Sequence, residues 1–174
     1  MSEQYPTVRL RVPTEEDALA WHRIFADPEV MEFQGGAPAE LSVYEELTAR
    51  QRMHDATLGV CFWTLLDEED RVIGFTGAQP WPRDWGPVGE IEIGWRLARP
   101  YWGRGYVTAA ARETLERVRS AGIPRVVAMV DSLNTRSIAV AERLGMTLEE
   151  TFPLSAGRTG RRYGLEFGAV EQAA

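Results

Sequence analysis

Residues 95–110 read WRLARPYWGRGYVTAA, and this stretch decides which fold the chain implies. The apolar segment from Val88 to Leu97 predicts a strand, and a helical pattern begins at Thr108. Between them, Gly103 and Gly105 allow the backbone to turn sharply and to approach a ligand closely. The start of a helix presents unpaired N–H groups and the positive end of the helix dipole, so the stretch predicts a site for a phosphate group.

The turn does not match either of the two common nucleotide-binding motifs. A dinucleotide fingerprint needs a third glycine at the position of Thr108, and a P-loop needs lysine after its last glycine. The chain contains no lysine at all, so Arg104 supplies the positive charge inside the turn. The predicted phosphate site therefore belongs to another class of protein.

The segments that follow the turn repeat the alternation of helix and strand. A helix is predicted to about Ala121, where Gly122 ends it, and the apolar run 125–130 predicts a buried strand. Asn134 then begins a second helix, which Gly145 closes. The order is strand, glycine turn, helix, strand and a helix led by asparagine.

These residues and their order resemble the GNAT family of acyl-CoA-dependent N-acetyltransferases, and most of all the branch that acetylates the N-termini of ribosomal proteins. The motifs are the opening segment 9–17, the run from Glu92 to Tyr106, and Asn134 with Ser137 followed by Leu-Gly-Met at 144–146. The resemblance implies one domain over residues 1–174, with its core at about 8–167. It implies an α/β fold whose mixed, mostly antiparallel sheet of about seven strands carries about four helices and splays at its centre.

The resemblance also implies the residues that bind the cosubstrate, acetyl-CoA. The family's pyrophosphate turn falls on 102–107, Leu97 matches a strand residue whose backbone pairs with the pantetheine arm, and Asn134 matches a side chain that holds this arm. Val107 is bulkier than the usual glycine or alanine. The residues predicted to bind acetyl-CoA are Trp95, Leu97, Trp102, Gly103, Arg104, Gly105, Tyr106, Val107, Thr108 and Asn134.

The chemistry of acetyl transfer asks for a base that accepts a proton from the amine and for backbone donors that stabilise the oxyanion. Glu90 and Glu92 alternate with isoleucines, which predicts that both carboxylates share one face of a strand and that one of them is the base. A solvated polar face explains the same alternation. Many family members have a tyrosine acid at the position of Ala141, and Ser137 matches a serine proposed to replace it.

The amino-acid composition limits the classes of protein to which the chain can belong. The 174 residues carry a net charge of −7, which disfavours nonspecific binding of nucleic acid, and no apolar run approaches the length of a membrane span. A single cysteine and the lack of a signal peptide predict a cytoplasmic protein. His22 and His54 lack partners at metal-binding spacing, so no metal is expected.

The sequence leaves the acceptor and two alternatives open. The resemblance implies an amine acceptor, either a peptide N-terminus or a small molecule. Trp81 and Trp85, in the loop 79–89, predict a cover for the acceptor pocket or a contact in a homodimer. One alternative is a regulatory module that binds CoA without turnover. The other is a transferase for a different donor such as succinyl-CoA, whose carboxylate would need a partner such as Arg83 or Arg96.

Overall fold

The computed structural model of the chain describes residues 4–168. Its helices are α1 (Asp17–Ile24), α2 (Leu41–Leu58), α3 (Tyr106–Ser120) and α4 (Thr135–Arg143). Its strands are β1 (Arg9–Arg11), β2 (Phe62–Leu66), β3 (Val72–Pro80), β4 (Ile91–Leu97), β5 (Arg125–Asp131), β6 (Thr147–Pro153) and β7 (Thr159–Glu166). Two short 3-10 helices cover Arg99–Tyr101 and Ser155–Gly157.

The seven strands form one sheet in the order β1-β2-β3-β4-β5-β7-β6. All neighbours are antiparallel except β4 and β5, which are parallel and pair through Glu92 and Val127. Because this pairing does not continue toward the end of β4, the two central strands separate there. The mixed, mostly antiparallel sheet, its seven strands and its four helices confirm the predicted α/β fold.

Two boundaries near the decisive stretch differ from the prediction. β4 begins at Ile91 rather than at Val88, which is 61% exposed, because the N–H of Glu90 donates to the carbonyl of Pro87 in a turn. α3 begins at Tyr106 rather than at Thr108. The left-handed conformation of Gly105, with φ of 84°, completes the turn two residues earlier.

The core consists of two clusters of buried side chains that meet at β4. The larger cluster packs α3 and α4 against the sheet and includes Val118, Val126 and Ala141. The smaller cluster is aromatic and lies beneath α1 and α2. Its ring-bearing members are Trp21, Phe25, Tyr44, Phe62 and Phe75. β4 therefore contributes Ile93 and Leu97 to the larger cluster, while Gly94 and Arg96 face the rings of the smaller one.

Candidate active site

A cleft of about 670 Å³ opens where β4 and β5 separate. Its walls come from the end of β4, the glycine turn, the first turns of α3 and α4, and the segment between α1 and α2. All ten residues predicted to bind acetyl-CoA line this cleft, and so does Ser137. Its volume lies within the range of small-molecule sites.

The backbone of β4 faces the cleft with free hydrogen-bonding groups. The N–H of Ala98 donates to the carbonyl of Ile73 at 2.8 Å, so Leu97 and Gly74 form a non-hydrogen-bonded pair. The N–H and C=O groups of Leu97, and by alternation those of Trp95, therefore point away from β3. Since the pairing with β5 ends near Glu92, these groups are available to a ligand, although Nε1 of Trp102 already donates to the Leu97 carbonyl at 2.9 Å.

The glycine turn places the start of α3 at the other wall of the cleft. Gly105 is the N-cap residue and contributes no side chain that caps the helix. The first N–H groups of this 15-residue helix therefore face the turn without a side-chain partner. An added Cβ at Gly103 would have no atom within 4 Å, which leaves room for a ligand beside the backbone.

Three arginines line the cleft without a direct ion pair. Arg104, Arg136 and Arg143 have no carboxylate within 4 Å between residues 4 and 168, and Glu68 acts on Arg104 only at longer range. The guanidinium of Arg136 lies 3.8 Å from the ring centre of Trp102, which holds it over the turn. The charge and the helix N-terminus together form a site for a polyanion.

The start of α4 contributes two polar side chains to the cleft. Oδ1 of Asn134 accepts a hydrogen bond from the N–H of Ser137 at 3.2 Å, which confirms the predicted helix start. The Asn134 side-chain amide keeps its two N–H donors for a ligand. Across the cleft, Nε1 of Trp95 donates to Oγ of Ser137 at 3.2 Å. Because this bond uses a lone pair of the hydroxyl, the hydroxyl proton is left for an acceptor in the cleft.

Glu92 lies at the end of a chain of hydrogen bonds between buried glutamine side chains, which the sequence did not predict. The N–H of Phe62 donates to Oε1 of Gln51 at 2.8 Å, and Nε2 of Gln51 donates to Oε1 of Gln79 at 2.7 Å. Nε2 of Gln79 then donates to Oε1 of Glu92 at 2.7 Å. Gln51 and Gln79 are both buried. Glutamine within a largely apolar strand is the one signal that pointed to Gln79, and its partners lie far away in sequence.

The two candidate bases lie in different environments. Glu92 is in β4, and burial raises the pKa of its carboxyl group despite the hydrogen bond from Gln79 and the nearby charges of Arg83 and Arg50. Glu90 precedes the strand, and its Oε1 accepts a hydrogen bond from Nε of Arg125 at 2.9 Å. Glu90 lies one residue before β4, and its carbonyl accepts a hydrogen bond from the N–H of Trp81 at 2.9 Å, which continues the pairing with β3. That the two carboxylates share one face stays a prediction. Neither carboxylate lines the cleft directly.

The tryptophan loop lies away from the cleft. The rings of Trp81 and Trp85 meet edge to face at 5.4 Å, and Trp85 packs 6.2 Å from Phe152 of β6. Trp85 remains 44% exposed, and a homodimer contact there stays a prediction. Across the described part of the chain there is no group of three or more metal-ligating side chains, and no helix has the length and apolar character to cross a bilayer.

Comparisons with known proteins agree with this geometry. The acetyltransferase (GNAT) domain family matches residues 7–147. The uncharacterised protein YkkB of Bacillus subtilis is 32% identical over 149 residues, which cover 83% of this chain and 84% of YkkB. The fold, the cleft and these matches establish that the chain belongs to the GNAT acetyltransferase family.

Solved structures show the same fold. The acetyltransferase YncA of Salmonella typhimurium, solved with acetyl-CoA, superposes with a TM-score of 0.73 at 19% identity, over 96% of each chain. A ribosomal-protein-S5-alanine acetyltransferase from Vibrio fischeri superposes with a TM-score of 0.74 at 16% identity, over 95% of this chain and 96% of its own. At these identities the likeness shows the fold.

Proposed function

We propose that the protein transfers an acetyl group from acetyl-CoA to a primary amine, either the N-terminus of a peptide or a small-molecule amine. The observation that carries this proposal is the cleft, which joins an uncapped helix N-terminus, unpaired arginines and the open edge of β4. We expect the enzyme to be cytoplasmic, because its single cysteine is unpaired and buried.

The residues of the cleft fit the parts of acetyl-CoA, which supplies an acetyl group already activated as a thioester. The glycine turn and the first N–H groups of α3 suit the pyrophosphate, with Arg104 and Arg136 as counter-charges. The amide of Asn134 and the open backbone of Leu97 suit the peptide-like pantetheine arm. Trp95 then lies at the inner end, where its backbone N–H suits a developing oxyanion.

Glu92 is the base that we assign to the reaction. The amine must be neutral when it attacks the thioester carbonyl, and an α-amine with a pKa near 8 is partly neutral already. Burial raises the pKa of Glu92, which makes its carboxylate a better proton acceptor. Because Glu92 is not among the residues that line the cleft, we propose that a water molecule passes the proton. Glu90 is engaged by Arg125, which leaves Glu92 as the assigned base.

Ser137 is the group that we assign to the leaving thiolate. Its hydroxyl accepts a hydrogen bond from Trp95, so its own proton can be directed at the sulfur. A serine hydroxyl is a weak acid, but a thiolate is not strongly basic and needs a hydrogen bond more than full proton transfer.

The decisive experiment follows thiol release from acetyl-CoA with purified protein and a panel of peptide N-termini and small amines. Release of one thiol per acetylated amine, which mass spectrometry confirms, would establish the activity. Tight acetyl-CoA binding without acceptor-dependent release across the panel would contradict it and favour a regulatory module that binds CoA.

A further inference from the structure

Arg96 is a partly buried cation in the cleft that the proposed reaction does not use. It lies on the face of β4 opposite to Trp95 and Leu97. Its guanidinium carbon is 4.9 Å from the ring centre of Phe25 and 5.3 Å from that of Phe75. Two aromatic rings thus support the group and shield it from water.

The charge of Arg96 has no counter-charge. Several other half-buried arginines have ion pairs: Arg11 with Asp17, Arg125 with Glu90 and Arg158 with Asp131. No carboxylate in the described range lies within 4 Å of Arg96. Its polar partners are Gln34, whose Oε1 accepts from Nη2 at 3.2 Å, and the hydroxyl of Tyr44. Burial lowers the pKa of its guanidinium, so an unpaired cation here is costly. A guanidinium has five N–H donors, which leaves most of them for a ligand.

The hydroxyl of Tyr44 lies beside Arg96 on its buried side. Both groups flank Phe25, since the ring of Tyr44 lies 5.7 Å from that of Phe25, and the hydroxyl interacts with the guanidinium of Arg96. Tyr44 is 1% exposed and does not line the cleft. It therefore positions Arg96 from behind and does not itself reach a ligand in the cleft.

The position of Arg96 separates it from the arginines assigned to the phosphates. Arg104 lies in the glycine turn, and Arg136 lies in the first turn of α4 over Trp102. Arg96 instead meets the segment between α1 and α2, where Phe33 and Gln34 line the cleft. Arg96 therefore lies in a different part of the cleft from the arginines assigned to the phosphates.

We propose that Arg96, positioned by Tyr44, binds a carboxylate of the acyl acceptor, so that the preferred acceptor is an amine that also carries a carboxylate, such as a free amino acid. The proposal rests on the proposed acetyl transfer. The planar fork of a guanidinium matches the two-oxygen geometry of a carboxylate. The carboxylate of a donor such as succinyl-CoA has the same chemistry, and the test must separate these two sources.

The test compares free amino acids with their carboxamides, which keep the amine and the side chain but lose the negative charge. With acetyl-CoA, we expect the wild-type kcat/KM to favour each acid over its amide by about tenfold or more. Arg96→Gln should remove this preference mainly through KM, Arg96→Lys should keep part of it, and Tyr44→Phe should weaken it. Arg9→Gln is the control, because Arg9 is an exposed residue of β1 paired with Asp70.

The remaining outcomes each decide the question. Equal use of acids and amides by the wild type would overturn the proposal and leave acetyl transfer intact. A preference for succinyl-CoA over acetyl-CoA with the amides, if it is lost in Arg96→Gln, would also overturn the proposal, because Arg96 would then bind the carboxylate of the donor.

If no amine in the panel releases thiol, the proposed function fails, and calorimetry with CoA-loaded protein tests the carboxylate subsite alone. Binding of acids by the wild type but not by Arg96→Gln would then support it, and no binding of any acid would overturn it.

Discussion

Nε2 of Gln79 donates a 2.7 Å hydrogen bond to Oε1 of Glu92. The direction of this bond is set at the far end of the chain of amides, because the backbone N–H of Phe62 can only donate to Gln51. Each amide in turn must therefore accept with its oxygen and donate with its nitrogen. The chain ends by offering a donor to Glu92, which orients the carboxylate and favours its ionised form against the effect of burial.

Glu92→Gln tests the assignment of the base. The amide keeps the hydrogen bond from Gln79 but cannot accept a proton, so we expect kcat/KM to fall by about 100-fold at neutral pH. Steady-state thiol release measures the change, and Glu90→Gln is the control, because Glu90 lies outside the strand and pairs with Arg125. A larger loss in Glu90→Gln than in Glu92→Gln would reverse the assignment.

The same substitution should stabilise the protein. The pKa of Glu92 is raised above its ordinary value of 4.5 by burial, so the folded state loses stability as pH rises from that value through the raised pKa. Glutamine has no such charge to bury. We expect Glu92→Gln to melt roughly 3 °C higher than wild type at pH 8 and at the same temperature below about pH 4.5. A gain that is independent of pH would point to another cause.

Gly105→Glu tests the phosphate site. Gly105 has φ of 84°, and an added Cβ would lie 3.1 Å from Cδ1 of Tyr5, while the new carboxylate would repel the pyrophosphate. We expect Kd for acetyl-CoA to rise at least about tenfold by calorimetry. Gly122→Glu is the matched control, since Gly122 has φ of 79° and follows the opposite end of α3. If the two variants bound acetyl-CoA with equal affinity, the glycine turn would not be part of the phosphate site.

Ser137→Ala tests the group assigned to the leaving thiolate. The change deletes the hydroxyl that accepts from Trp95, and α4 keeps its Asn134 cap because that bond uses the backbone of Ser137. We expect kcat to fall about tenfold with little change in Kd for acetyl-CoA, since the hydrogen bond matters most as the thiolate forms. Trp95→Phe removes only the orienting donor and should lose less. A rise in Kd with unchanged kcat would make Ser137 a binding residue.

Asp67→Asn tests an anchor of the cleft wall. Burial alone would raise the pKa of Asp67, but hydrogen bonds from the backbone and guanidinium of Arg71, from the Glu69 backbone and from the Tyr101 hydroxyl lower it to about 2. The carboxylate therefore stabilises the fold above pH 3.8, and this stabilisation disappears as pH falls toward 2. We expect a loss of about 2 kcal/mol at pH 7 in urea unfolding, and less at pH 3.

Asp70→Asn is the control for that measurement. Asp70 lies in the same turn between β2 and β3, but its side chain is exposed and pairs only with Arg9 on the surface. Asparagine also tolerates the φ of 60° at this position. We expect a change near zero at every pH, and a loss as large as that of Asp67→Asn would assign the effect to the turn instead.

The elements around the glycine turn were predictable because their signals are local. Gly105 and Gly122 take left-handed conformations that few other residues adopt, and Asn134 bonds a backbone group three residues ahead. Such preferences act over only a few neighbouring residues, so they can be recognised from the amino-acid sequence alone. The exact starts of β4 and α3 were missed by two or three residues, because a proline turn and the left-handed N-cap override the apolar pattern.

What the sequence by itself determined is the α/β fold, the glycine turn and the family to which the chain belongs, since these depend on residue types at short spacing. Only the tertiary structure decided that Gln51 and Gln79 lead to Glu92, that Trp95 meets Ser137, and that Arg96 remains unpaired beside Tyr44. The physical reason is distance along the chain. Gln51 and Gln79 are 28 residues apart, and Trp95 and Ser137 are 42 apart, so only the packing of helices onto the sheet brings them into contact.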